Sequence, residues 1–75
     1  FRIALVEDDR TLRTGLGDAL AGEGYVVAAA ADGHEARALL RGQRFDLVVL
    51  DVMLPGPSGL ELLRELRSRD GDTPV

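Results

Sequence analysis

Seventy-five residues make one small domain at most, near the lower range for a self-sufficient core. A hydrophobic content of 45% is that of a globular chain, and a net charge of −4 argues against direct contact with nucleic acid. No apolar run approaches the ~20 residues of a membrane span, and there is neither a signal-peptide pattern nor a cysteine, so a cytoplasmic setting is expected.

Ile3-Ala4-Leu5-Val6 has the length and composition of a strand buried on both faces of a parallel sheet, and it runs into Glu7-Asp8-Asp9. Asp9 can N-cap the helix that follows. Leu12, Leu16, Ala19 and Leu20 recur there at i, i+4, i+7 and i+8, which predicts an inward apolar stripe. Gly24 is placed to stop that helix, because glycine takes the left-handed conformation without penalty. Tyr25 to Ala29 is a second strand. Asp32 caps a short helix that is expected to bury Ala36, Leu39 and Leu40 and to end near Gly42. The third strand starts at Asp46 or Leu47, continues to Leu50, is expected like the first to be buried on both faces, and ends in Asp51.

A loop from Val52 to Pro57 carries two prolines and a glycine. Ser58-Gly59-Leu60-Glu61 after it is a capping box, in which serine and glutamate satisfy each other's orphan amides. The third helix turns Leu62, Leu63 and Leu66 inward and pairs Glu65 with Arg69 at i,i+4 on its outer face. Arg69 to Thr73 is a polar turn, and Pro74-Val75 reads as the entry to a fourth strand.

Strand and helix alternate throughout, which is the α/β class. Right-handed crossovers with short connections favour placing strand one between strands two and three. The winding direction reverses between strands one and three, and ligands of open parallel sheets bind outside the carboxyl ends of strands at such a switch point. Two acidic clusters flank it here, Glu7-Asp8-Asp9 and Asp51. Carboxylates gathered there repel one another unless a proton or a cation lies among them, so a hard-metal site with a reactive carboxylate is expected.

These residues resemble a known family. Leu5-Val6-Glu7-Asp8-Asp9, then Leu47 to Gly56, and Ser58-Gly59-Leu60-Glu61-Leu62-Leu63 are similar to the response-regulator receiver domain of two-component signalling. The wording around Met53-Leu54-Pro55-Gly56 is most similar to the OmpR/PhoB type. The resemblance covers the whole chain. It implies a flavodoxin-like, doubly wound parallel sheet of order 2-1-3-4-5, of which strands one to three and the start of four fall in these residues.

The resemblance further implies that Asp51 accepts a phosphoryl group from the phosphohistidine of a sensor histidine kinase. Mg²⁺ would be held by Glu7, through water, by Asp8, by Asp51 and by the backbone carbonyl of Met53. Such a domain is a phosphoacceptor switch and not a turnover enzyme, and the implied output is a C-terminal DNA-binding domain outside this segment. Chemistry agrees: Mg²⁺ prefers oxygen ligands and commonly joins carboxylates to a phosphate, and a carboxylate attacking phosphorus needs a cation to screen the charge.

One departure is large. A receiver usually supplies a Thr or Ser after strand four and a Lys after strand five. All nine basic residues here are Arg, so that Lys is absent, and Thr73 precedes the fourth strand. Residues 1–75 are therefore expected to be a receiver domain incomplete at its C-terminus. Were the chain to end at Val75, strand three would be an open edge, and pairing of two copies into a homodimer would be expected.

Two other functions compete. A phosphatase of the haloacid-dehalogenase type needs a second Asp two residues after the nucleophile, and position 53 is Met. A pseudo-receiver acting by contact alone would be expected to lose one of the acids, and none is lost. Asp9 is expected to act as a helix cap rather than a ligand, and His34 as a solvated side chain. Arg64 and Arg67 read as a solvated face. Leu12 and Arg13 border the site and are the candidates for contact with a kinase.

Overall fold

The computed structural model describes residues 1–51, 56, 58–69, 71 and 73–75. Three parallel strands, β1 (Arg2–Val6), β2 (Val26–Ala30) and β3 (Leu47–Leu50), alternate with three helices, α1 (Arg10–Gly22), α2 (Gly33–Gly42) and α3 (Gly59–Arg69). The sheet order is β2-β1-β3, as the crossover argument requires. The register aligns Val6 with Ala30 on one side and with Leu50 on the other. The carboxyl ends of all three strands therefore lie level. The Pro74 carbonyl accepts from the Val48 N–H at 2.9 Å, so the chain returns alongside β3 where a fourth strand would start, and that amide of the edge is paired.

Local chemistry sets the boundaries. Asp9 Oδ1 accepts from the Leu12 N–H at 2.9 Å, Asp32 Oδ1 from the Glu35 N–H at 2.8 Å, and Ser58 Oγ from the Glu61 N–H at 3.2 Å. Each is an N-cap bond that satisfies a donor of the helix's first turn. Gly24 follows α1 with φ of +93°, which ends the helix where the sequence placed its stop.

Two clusters of the core lie on one face of the sheet, and Ile3 and Leu5 of β1 are buried on the other. Ala4 and Val6 of β1, Ala30 of β2 and Val48 of β3 pack against Ala36 and Leu40 of α2 and Leu62 and Leu66 of α3. Three arginines tie the helices together. Glu65 of α3 binds Arg37 at 2.6 Å and Arg41 at 3.0 Å, both on α2, and Arg69 donates to the Leu40 carbonyl at 3.1 Å. Glu65 therefore does not pair with Arg69 along its own helix; a partner across the helix–helix contact is reached first. Arg67 is not merely solvated either, since it donates to the carbonyls of Gly71 and Thr73 and closes the turn after α3.

The other face carries α1, and here the expected packing differs. Leu12 is 49% exposed and Leu16 38% exposed, and α1 buries none of its residues fully. The helix instead turns half-buried Arg13, Gly17 and Leu20 to the sheet. At Gly17 a Cβ would sit 3.9 Å from Leu5 Cδ2, so the helix backbone comes close to β1. One helix cannot cover three strands: β1 is buried on both faces, whereas Val26 and Val49 remain exposed. The expectation of strands buried on both faces holds for β1 alone.

Candidate metal and phosphoacceptor site

The level strand ends assemble the site. Glu7 and Asp51 are the first residues beyond β1 and β3. The Asp51 N–H donates to the Val6 carbonyl at 3.1 Å, and the Glu7 N–H donates to the Ala30 carbonyl at 3.1 Å, which extends both strand pairings by one residue. One carboxylate oxygen from each of Glu7, Asp8 and Asp51 lies within 4.8 Å of the other two. The structure thus brings together three of the residues expected to form the site. The fourth, Met53 with its backbone carbonyl, lies outside the described residues, as does Pro55. Asp9 is accounted for by its N-cap bond and stays out of this cluster.

Glu7 is buried, with 9% of its surface exposed, whereas Asp8 is open to solvent and Asp51 half-buried. Burial pushes the Glu7 carboxyl above its ordinary value of 4.5, and the Asp51 side chain hydrogen-bonded to it, with the charges of Asp51, Asp8 and Asp9, pushes the same way. Two unit charges 4–5 Å apart repel by roughly 3–4 kcal/mol at an effective dielectric of about 20. The Glu7–Asp51 pair therefore needs a shared proton or a cation.

The donor set fits Mg²⁺. All three ligands are hard oxygens, with no nitrogen or sulfur among them. Three carboxylate oxygens within 4.8 Å of one another are close enough to serve one cation, and Mg²⁺ characteristically keeps several waters besides its carboxylate ligands. Asp8 leaves the cluster open to solvent on one side.

Two details were not legible beforehand. Arg13 donates from Nη1 to the Glu7 carbonyl at 2.9 Å and to the Asp8 carbonyl at 3.3 Å, which binds it to the turn that carries the acids. His34 is exposed, as expected, but its ring lies against Gly56. A Cβ at Gly56 would meet the ring at 2.9 Å and have to displace it, and Gly56 has φ of +76°, a backbone conformation that favours glycine.

The geometry is that of acids gathered at a switch point of a doubly wound sheet, and comparison with known proteins gives it a family. Residues 3–75 match the model of the response regulator receiver domain. The chain belongs to the response-regulator receiver family. It is 49% identical over 74 residues to the response regulator MprA of Mycolicibacterium vanbaalenii, covering 99% of this chain and 32% of that protein. It is 50% identical over 68 residues to the transcriptional regulatory protein AfsQ1 of Streptomyces coelicolor, covering 91% of this chain and 30% of that one. The chain thus spans about a third of the length of these curated relatives.

Among solved structures, the response regulator TrrA of Thermotoga maritima in complex with Mg(2+)-BeF superposes with a TM-score of 0.87 at 39% identity, over 95% of this chain and 62% of that one. The same regulator in complex with the histidine kinase ThkA gives a TM-score of 0.86. The receiver fold and the two-component family are thus established for the chain. No helix among the described residues is long and apolar enough to cross a membrane.

Proposed function

We propose that this receiver is a phosphoacceptor switch in which Asp51 takes the phosphoryl group and Glu7 and Asp8, with Asp51, hold Mg²⁺. The observation that carries the reading is the meeting of the three carboxylates within 4.8 Å at the carboxyl ends of β1 and β3. An Asp51 carboxylate oxygen would attack phosphorus in line with the leaving group. The new bond is O–P, the bond broken is P–N of the donor's phosphohistidine, and the imidazole departs and recovers a proton. When bound, the metal supplies positive charge that screens nucleophile and phosphoryl oxygens from each other. Asp8, exposed at the mouth, would be the direct ligand; buried Glu7 would act through water, and the upward shift of its pKa favours its protonated form while the cation is away. The Met53 backbone carbonyl remains the proposed fourth protein ligand.

The partner proposed is a sensor histidine kinase, supported by the complex in which TrrA is bound to ThkA. The proposed output is DNA binding by a further domain, supported by a relative described as a transcriptional regulatory protein, of which this chain covers 30%. Residues 1–75 are proposed to supply the metal and acceptor half of the receiver in a cytoplasmic protein. The hydroxyl and the Lys that a receiver uses to read the phosphate would come from other residues, since the sequence holds no Lys.

Calorimetric titration with Mg²⁺ tests the metal half of this reading. Weak binding is expected, because few protein ligands are offered and water completes the octahedron. Asp8→Ala should abolish it and Glu7→Ala should weaken it less, as an outer-sphere ligand contributes less. Equal affinity in wild type and Asp8→Ala would refute the assignment.

A further inference from the structure

We infer that Arg13 is the positioning residue of the acidic cluster, its guanidinium fixing the main chain that carries Glu7 and Asp8 so that their carboxylates meet a divalent cation beside Asp51. The inference rests on the metal reading above and adds a residue to it. Arg13 stands on the first turn of α1, its own N–H donating to the Asp9 carbonyl at 2.8 Å. From there its half-buried side chain turns back over the β1–α1 connection, and Nη1 donates to the carbonyls of Glu7 and Asp8 at 2.9 and 3.3 Å. With the Glu7 N–H bound to the Ala30 carbonyl and the Asp9 carboxylate bound to the Leu12 N–H, each of the consecutive acids Glu7, Asp8 and Asp9 is tied at its backbone or its cap.

The choice of acceptor matters. An arginine that reached the carboxylate oxygens would compete with a cation for them. Arg13 gives its bonds to the carbonyls instead, so it orders the ligands without occupying their ligating atoms. Groups that hold ligands in place typically contribute 10- to 100-fold to metal affinity when removed. The guanidinium charge acts in the opposite sense, because a cation near the site repels Mg²⁺. Positioning and charge thus predict changes of opposite sign when Arg13 is removed, and this separates them.

The test is Mg²⁺ affinity, measured by calorimetry and by amide chemical shifts of the acidic turn, in the intact protein and under conditions where every variant is folded. Arg13→Ala is expected to raise the Kd about tenfold. Arg13→Lys, which returns a cationic donor, should recover part of that loss. Arg69→Ala is the control: Arg69 also caps a backbone carbonyl, that of Leu40, but away from the acids, so its loss should destabilise the fold and leave the Kd unchanged. An Arg13→Ala Kd equal to wild type, or tighter, would overturn the positioning role, as would an Arg13→Lys variant that binds no better than Arg13→Ala. Should Arg13→Ala not fold, Arg13→Met, which keeps the aliphatic stem, is read by the same criteria. A wild-type protein that binds no Mg²⁺ would overturn the metal reading itself and this inference with it.

Discussion

Glu7 and Asp51 leave neighbouring parallel strands at the same level, because Val6 pairs with Leu50 and the Asp51 N–H donates to the Val6 carbonyl. A slip of β3 by one residue would turn Val48 out of the core and carry Asp51 away from Glu7, so the packing that fixes the register also assembles the site. The buried Glu7 carboxyl is the costly member of the pair.

Its raised pKa makes a prediction with a definite sign. The folded state holds the Glu7 proton more tightly than the unfolded state, so wild-type stability falls as pH rises above the ordinary value of 4.5 and through the folded value. Glu7→Gln should therefore be more stable than wild type in metal-free buffer at neutral pH, with the gain disappearing below pH 4.5. Saturating Mg²⁺ should reduce or reverse the gain. Urea unfolding across a pH series, with chelator and with Mg²⁺, measures this; a gain independent of pH and of metal would contradict it.

Glu65 behaves in the opposite way. The Arg37 guanidinium bonded to it, with Arg41 beside it, lowers its pKa below the ordinary 4.5 in spite of some desolvation. The α2–α3 link therefore contributes stability above pH 4.5 that is lost as the solution is acidified through the folded value. The stability difference between wild type and Glu65→Gln should shrink on acidification, and added salt should reduce it at neutral pH. Curves that stay parallel down to acid pH would show that the ion pairs contribute nothing.

Gly56 should resist substitution for two separable reasons. Placing alanine at φ of +76° costs about 1–2 kcal/mol, and its Cβ would also press on the His34 ring at 2.9 Å. In a double-mutant cycle, His34→Ala should recover the steric part of the Gly56→Ala loss and leave the backbone part. Strict additivity of the two substitutions would show that the ring is not in contact.

Much of this was legible in the residues. Apolar runs ending in acid marked β1 and β3, and short polar caps at Asp9, Asp32 and Ser58 marked the helix starts, because such bonds depend on neighbours three residues apart. Partners set by tertiary packing were not. Helical spacing offers Glu65 only Arg69, whereas the fold brings Arg37 and Arg41 to it from α2. Periodicity finds the stripe of Leu12, Leu16, Ala19 and Leu20, of which only Leu20 turns to the sheet, because the adjacent stripe through Gly17 lets α1 approach Leu5 closely. Arg13 shows the same limit: its position beside the site was readable, its bonds to the Glu7 and Asp8 carbonyls were not.

The central claim is that Asp51 carries the phosphoryl group, and mapping the modified residue tests it most directly. The intact protein, treated with acetyl phosphate or a sensor kinase and Mg²⁺, should gain one phosphoryl group that survives brief acid and is lost in base, as an acyl phosphate is. Peptide mapping should place it on Asp51, and Asp51→Asn, nearly isosteric, should abolish it while leaving the fold intact. A label on His34 or on a serine, or undiminished labelling of Asp51→Asn, would contradict the account.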